Sequence, residues 1–488
     1  MQSYLMFDLQ RVEAWAHDFN TAPVALRLTG VERTALDIFR ACKTISRHCF
    51  ILESMEDATS TGRYTFIGYD PSMTVACKDG RLMIRSGAQF DYEVDSPAAA
   101  IAKIIADNTG PSVPELPPFT GGLAGYFSFD YFKYAEPTLR LDGVDDEAFR
   151  DVDLMLFDHV IAFDNSTGEV FLIVTVKLDA VAENYSRAIR ELDDMARLVT
   201  SGPLAHMPPL ETTGDVEALF DRAGFCDVVK AAKQRITDGD IFQVVLSNRL
   251  RAPATGSLFE TYQLLRQTNP SPYMFYFASD ELELAGASPE TLVKLSGRQV
   301  TTYPLAGTRP RGSTPETDAA LEAELLADAK ELAEHNMLVD LGRNDIGRIA
   351  EIGTVTVPSY LAVLRLSHVM HLGSVVTGTL REGLTALDAI AAVLPAGTLS
   401  GAPKVMACQI LNDLEGVRRG VYGGAIGYIA TTGDMDTCIA IRLAYKAGGK
   451  VYVRAGAGIV ADSVPELEFE ESLNKMRAVL NAIGLAES

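Results

Sequence analysis

The sequence predicts an α+β fold and not a doubly wound parallel sheet. At 488 residues the chain is long for one hydrophobic core, so two closely packed subdomains are expected. Helical and strand-like stretches are intermixed along it. Two strand pairs are joined by short turns, at Asp164-Asn165-Ser166-Thr167-Gly168 within 158–174 and at Gly448-Gly449 between 437–445 and 450–460. Turns that short join antiparallel neighbours.

Each element carries a local signal. In the first 200 residues the pattern predicts a helix over 36–42, a strand over 64–67 and a helix over 180–198. Residues 201–215, rich in Pro, Gly and Thr, are the expected linker between an N-terminal region, 1–200, and a C-terminal region, 216–488. Beyond it a helix over 226–237 leads through Asp238-Gly239-Asp240 into a strand over 241–250, and a long acidic helix is expected over 315–341. A helix over 384–394 stops before Pro395, and the next starts after Ser400, the expected N-cap, and ends at Gly416. The last helix covers 465–483.

Composition narrows the function. A formal charge of −22 argues against nucleic acid, whose phosphates require a basic face. The longest apolar runs, such as 389–394, fall far short of the roughly 20 residues a bilayer needs. Residues 1–9 have no basic cluster and already carry Asp8, so no signal peptide is expected. The six cysteines, Cys42, Cys49, Cys77, Cys226, Cys408 and Cys438, are scattered without a CxxC pair, which fits reduced thiols in a cytoplasmic protein. An anionic substrate would have to be captured by local cations, either placed Arg and Lys or a bound metal.

Several patterns could carry chemistry. Glu331 and Glu334 stand at i,i+3 beside His335, and Glu468 and Glu471 repeat the spacing with Lys475 one turn beyond. Two such helices could enclose a hard divalent cation; the same spacing also describes a solvated helix face. The turn at 395–404 lacks the spacing of a P-loop but feeds a helix N-terminus, a place suited to an anion. Gly456 and Gly458 present bare backbone to a ligand carboxylate or to a close strand neighbour. Strand alternation puts Arg442 on one face with Cys438 and Ala440, where a long cation could line a pocket. His368 sits in an apolar strand-like stretch, as a core residue or as an acid.

Taken in order over about 225–483, these segments resemble the chorismate-utilising enzymes. The matching stretches are 240–247, Gly286-Ala287-Ser288-Pro289-Glu290, Pro304-Leu305-Ala306-Gly307-Thr308-Arg309-Pro310, 334–345, the glycine turn at 395–404, 436–442, and a final Pro-x-x-Glu-x-x-Glu-x-x-Asn-Lys pattern. The resemblance implies two interleaved subdomains of largely antiparallel sheets with flanking helices. It implies Mg2+ held by Glu334 and Glu471, with Glu331 and Glu468 supporting through water, and bound to the ring carboxylate of chorismate. Tyr422 and Arg442, with the backbone at Gly456 and Gly458, would hold the enolpyruvyl carboxylate. Thr308 and Thr398 would line the pocket, Lys475 would add positive charge, and His368 would assist departure of the 4-hydroxyl.

Two positions bear on the nucleophile. Relatives that add water generally place a lysine base where Gln243 stands, and some that make aminodeoxychorismate use a lysine nucleophile where Ala306 stands. The resemblance is therefore to members that add ammonia at C2, displace the 4-hydroxyl and release pyruvate to leave anthranilate. An aminodeoxychorismate-forming enzyme and a tryptophan-binding regulatory protein without catalysis are the alternatives.

The N-terminal region is similar to the family's regulatory region. Leu52-Glu53-Ser54, Gly62-Arg63-Tyr64 and Asn269-Pro270-Ser271-Pro272-Tyr273-Met274 resemble a tryptophan feedback site. Glu53 and Ser54 would accept the effector ammonium, and Pro272, Tyr273 and Met274, following Asn269, would surround its ring. No cysteine stands in the tight glycine turn of a glutaminase, so the resemblance also implies a separate glutamine amidotransferase subunit and a hetero-oligomer.

Overall fold

The computed structural model describes residues 2–55, 62–365 and 369–485. Two antiparallel sheets, of 14 and 12 strands, organise the chain, with helices on their flanks. Both sheets draw strands from before and after the 201–215 segment. In the larger sheet Cys49–Glu53 pairs with Tyr273–Ala278; in the smaller one Gly122–Phe127 pairs with Ala425–Ala430. The two halves are thus interleaved through backbone hydrogen bonds.

The sheets meet through aromatic side chains. Phe50, on the larger sheet, lies edge-on to Phe157 of the smaller one with ring centroids 4.8 Å apart, and Phe66 meets Tyr428 at 6.1 Å. These contacts sit in one continuous apolar core that takes residues from both sheets. All six cysteines are buried and unpaired. Among the described residues no helix is long and apolar enough to cross a membrane.

Strongly patterned elements form as the sequence predicts. Helix Val181–Ser201 buries Asn184, Ala188, Leu192, Met195 and Val199, a stripe at helical spacing. The hairpin His159–Asp164 to Glu169–Lys177 turns where Asp164 Oδ1 accepts from the Ser166 and Thr167 N–H groups at 3.0 and 3.3 Å.

Three expectations are corrected. The acidic helix expected over 315–341 is two helices, Pro315–Ala327 and Ala329–Gly347. Asp328 breaks it: its backbone is extended, and its Oδ1 accepts from the N–H groups of Lys330 and Glu331 at 3.0 and 3.2 Å. Ser400 is not an N-cap. Gly401–Ala402 pair with Gln243 and Val244 as a short strand, and the helix begins only at Lys404. The strand expected over 437–445 is two strands in different sheets. Met435–Ile439 belongs to the smaller sheet and Leu443–Ala447 to the larger, and the chain crosses between them at Ala440 to Arg442. Arg442 has φ +53°, a left-handed conformation unusual for a residue with a long side chain, so strand alternation does not set its direction.

Candidate functional site

The two carboxylate helices converge. Burial pushes the Glu334 carboxyl up from its ordinary range, and Glu331 and, from the other helix, Glu471 push the same way against Lys330 and Lys475. Glu468 is raised by burial too, and further by Glu471. Two of the four already have cations nearby: Glu471 Oε1 lies 2.6 Å from Lys475 Nζ, and Glu331 lies 3.8 Å from an Arg309 nitrogen. Among the described residues no three acidic, histidine or cysteine side chains stand together closely enough to hold a metal ion as they are. The cluster is partly buried negative charge with Lys330, Lys475 and Arg309 at its edges.

Beside it lies a cationic corner. Lys475 Nζ donates to the Gly456 carbonyl at 3.1 Å, and Arg442 Nη1 donates to the Lys475 carbonyl at 3.1 Å. The Arg442 guanidinium is pulled below its usual range by burial, while Tyr422 and Glu471 favour its charge. Tyr422 is buried and its phenol is pushed up to about 12, mainly by desolvation, so it stays a hydrogen-bond donor. Gln243 starts the strand that runs antiparallel to Lys450–Ile459, where its neighbour Val244 pairs with Ile459. A Cβ on Gly458 would stand 2.8 Å from Gln243 Nε2, so glycine there lets the amide lie against bare backbone.

An acid that the sequence did not single out closes the pocket. Glu290, next to strand Thr291–Ser296, accepts the Thr398 hydroxyl on Oε1 at 3.1 Å. Burial pushes its carboxyl up to about 8, with Thr398 and the more distant Lys475 opposing. Glu290 therefore carries a proton at neutral pH. Its motif was legible, but nothing in the local pattern says that this carboxyl is buried.

His368 lies outside the described residues. Three positions on, His371 stands in the site: its Nδ1 is 2.9 Å from the Gly307 carbonyl and 3.1 Å from Thr308 Oγ1. The partner strand slips register between Ala306 and Thr308, with Gly307 at φ +65°, and this bulge brings Thr308 opposite His371. A carbonyl only accepts, so Nδ1 bears the hydrogen and Nε2 is left with its lone pair. Burial, and to a lesser degree Arg442, hold the imidazole below its ordinary range, so the ring is neutral. The sequence offers two histidines three apart, and nothing in the local pattern singles out His371.

The effector segments also come together. Glu53 pairs with Met274 across adjacent strands, and the Met55 N–H donates to the Ser271 carbonyl at 3.1 Å. Leu52, Glu53, Ser54, Pro272, Tyr273 and Met274 line a cavity of about 730 Å³ between the sheets, which Glu290 and Thr291 line as well. Glu331, Glu334, Glu468, Glu471, Arg442 and His371 do not line this cavity; of the residues given a chemical role, Glu290 does. Asn269 does not line the cavity. It ends the helix Phe259–Thr268, with its N–H bonded to the Leu265 carbonyl. The Glu53 carboxylate already accepts from Tyr262 and Arg266 on Oε1 and from Arg266 Nη2 on Oε2 at 2.9 Å, so an effector ammonium would share it with these donors.

Comparison with known proteins places this geometry. A family model for chorismate binding enzymes matches residues 47–481. Anthranilate synthase component 1 of Acetivibrio thermocellus is 42% identical over 485 residues, covering 97% of this chain and 98% of its own length. That of Aquifex aeolicus is 41% identical and covers 99% of each. The crystal structure of anthranilate synthase component I from Streptococcus pneumoniae superposes with a TM-score of 0.74 at 36% identity, over 86% of this chain and 92% of that one. The menaquinone-specific isochorismate synthase of Escherichia coli shares the fold, with a TM-score of 0.70 at 20% identity over 97% of this chain and 98% of that one.

Proposed function

The chain belongs to the chorismate-binding enzyme family, and from that premise we propose that it converts chorismate and ammonia to anthranilate and pyruvate. One observation carries the mechanism: an acid and a base with displaced pKa values flank the same cationic corner. Glu290 is held protonated up to about pH 8, and His371 is held neutral with Nε2 open.

The roles follow from these states. Arg442, Tyr422 and Lys475 bind and orient the substrate carboxylates by charge and hydrogen bonding. Glu290, steadied by Thr398, donates its proton to the 4-hydroxyl as the C4–O bond breaks and ammonia forms the C–N bond at C2. The water that leaves takes up that proton, and the ring double bonds shift. The added nitrogen then sheds a proton, which restores the Glu290 carboxyl. Next the C2 hydrogen must leave as a proton, its electron pair aromatising the ring while the bond from ring C3 to the ether oxygen breaks; the departing enolate takes up a proton at its methylene carbon and becomes pyruvate. His371 Nε2 is the lone pair available to accept it. Gln243 supplies no base and needs none, because ammonia arrives with its own lone pair.

Glu334 and Glu471, with Glu331 and Glu468 through water, fit Mg2+: hard oxygen donors, with the Glu334 and Glu468 carboxyls raised first by burial and then by neighbouring carboxylates. Such an ion would neutralise the ring carboxylate of chorismate. The Glu471–Lys475 contact is one it would have to share or displace.

Ammonia would come from a separate glutamine amidotransferase subunit. Burial raises all six thiols above their ordinary range, so none is poised as the thiolate that glutamine cleavage requires. Feedback by L-tryptophan in the cavity by Ser54 and Pro272 to Met274 completes the proposal, with Glu53 anchoring the strand end through Arg266. The test is isotopic: nitrogen from labelled ammonium should enter the product with the isolated chain, whereas amide-labelled glutamine should contribute only after a glutaminase is added. Glutamine-derived label with the purified chain alone would sink the partner assignment.

A further inference from the structure

We propose that Arg419 is a positioning residue that clamps three parts of the pocket, the Thr398 turn, the Gln243 strand and Tyr422, into one arrangement. The inference deepens the function proposed above and rests on it only for its kinetic readout.

Arg419 follows the helix Lys404–Glu415, and its side chain is only 3% exposed. Every nitrogen of its guanidinium is used. Nε donates to Glu415 Oε2 at 2.9 Å and Nη2 to Oε1 at 2.5 Å, a bidentate fork. Nη1 donates to the Leu399 carbonyl at 2.6 Å, one residue from Thr398. Nη2 donates again to the Val245 carbonyl at 2.6 Å, two residues from Gln243. The guanidinium carbon lies 4.7 Å from the Phe129 ring centroid and 5.8 Å from that of Tyr422. One planar cation thus fixes the backbone behind two pocket side chains and packs against the ring of a third.

Arg454 provides the contrast. It shares Glu415, at 2.7 Å, and also lies 5.8 Å from Tyr422. Its other bonds, however, go to Ser247 Oγ and the Arg418 carbonyl, away from the Thr398 turn. A buried ion-pair cluster is weak ground for stability, because desolvating the charges offsets much of their attraction. What Arg419 uniquely supplies is geometry: a fork that meets a carboxylate and two carbonyls at once. The point-like ammonium of lysine cannot reproduce it.

The experiment pairs Arg419→Lys with Thr398→Val in a double-mutant cycle, with Arg454→Lys as control and amide exchange as a readout independent of turnover. Alone, Arg419→Lys should leave KM for chorismate within about threefold and lower kcat about 10–100-fold, as a small misplacement of reacting groups does. In the Thr398→Val background its effect should shrink by the share that acts through Thr398, leaving the part carried by the Gln243 strand and Tyr422, whereas Arg454→Lys should remain additive. Exchange should quicken at 396–401 and 243–247 and elsewhere stay unchanged. Additive losses with Thr398, or exchange that quickens across the whole fold, would overturn the assignment. Should Arg419→Lys not fold, Glu415→Gln, which removes the anchor of the fork, runs the same cycle. Failure of both to fold would reduce Arg419 to a framework role and overturn the proposal.

Discussion

Thr398 and Glu290, 108 residues apart in sequence, are joined by a hydrogen bond of 3.1 Å in which the threonine hydroxyl donates to a half-buried carboxyl. The contact brings a glycine-rich turn against the end of a sheet strand and marks the acid of the pocket. Its consequences are measurable.

Glu290→Gln should lower kcat about 10²–10⁴-fold, the usual contribution of a placed acid, with little change in KM. Wild-type activity should fall as pH rises through about 8, where the carboxyl gives up its proton. The stability effect runs the same way. The folded state keeps a proton that the unfolded chain has already released, so stability declines from the ordinary carboxyl range up to about pH 8. The amide introduced by the substitution does not titrate, so thermal melts should show the variant gaining on the wild type as pH rises towards about 8. A variant with unchanged kcat, or melting differences flat with pH, would contradict this.

His371→Asn should slow pyruvate release more than amination, so that an aminated, pyruvate-bearing intermediate builds up in rapid-quench chromatography. The loss should be about 10²–10⁴-fold in anthranilate formation. Because burial lowers the wild-type imidazole's pKa, the acidic limb of its rate profile should fall below the ordinary histidine range. Equal slowing of both steps would remove His371 from the second one.

Much of this was readable from sequence where one local rule decided an element. The buried stripe of Val181–Ser201 and the Asp164 turn needed only their own residues. The paired glutamates were legible because helical spacing puts them on one face, and Gly456 and Gly458 because missing side chains are visible. What escaped depends on tertiary context. Asp328 ends one helix and caps the next within a continuous acidic run, so composition alone does not reveal the break. Arg442 sits where the chain leaves one sheet for the other, a crossing with no local signature except a left-handed residue. Glu290 is defined by desolvation, and Glu53 by the Arg266 that reaches it from a distant helix.

Glu334→Gln or Glu471→Gln should abolish turnover while the fold persists by circular dichroism, and should displace any remaining magnesium dependence to higher concentration. Near-normal activity in both across a magnesium titration would take them out of the metal site.

L-Tryptophan should inhibit, and Ser54→Phe should relieve inhibition with uninhibited activity nearly intact. Ser54 lines the cavity between the sheets, away from Arg442 and the carboxylate helices. Coupling between two such sites is typically about 1–3 kcal/mol and reciprocal, so a chorismate analogue should weaken tryptophan binding by the same factor in calorimetry. Tryptophan binding that ignores the analogue would end the regulatory reading and leave the catalytic one standing.

The central claim is tested most directly by product stoichiometry. The purified chain, given chorismate, magnesium and ammonium, should form anthranilate and pyruvate in equal amounts, identified by mass and fluorescence. An aminated product that retains its enolpyruvyl group, or no consumption of chorismate at all, would contradict it.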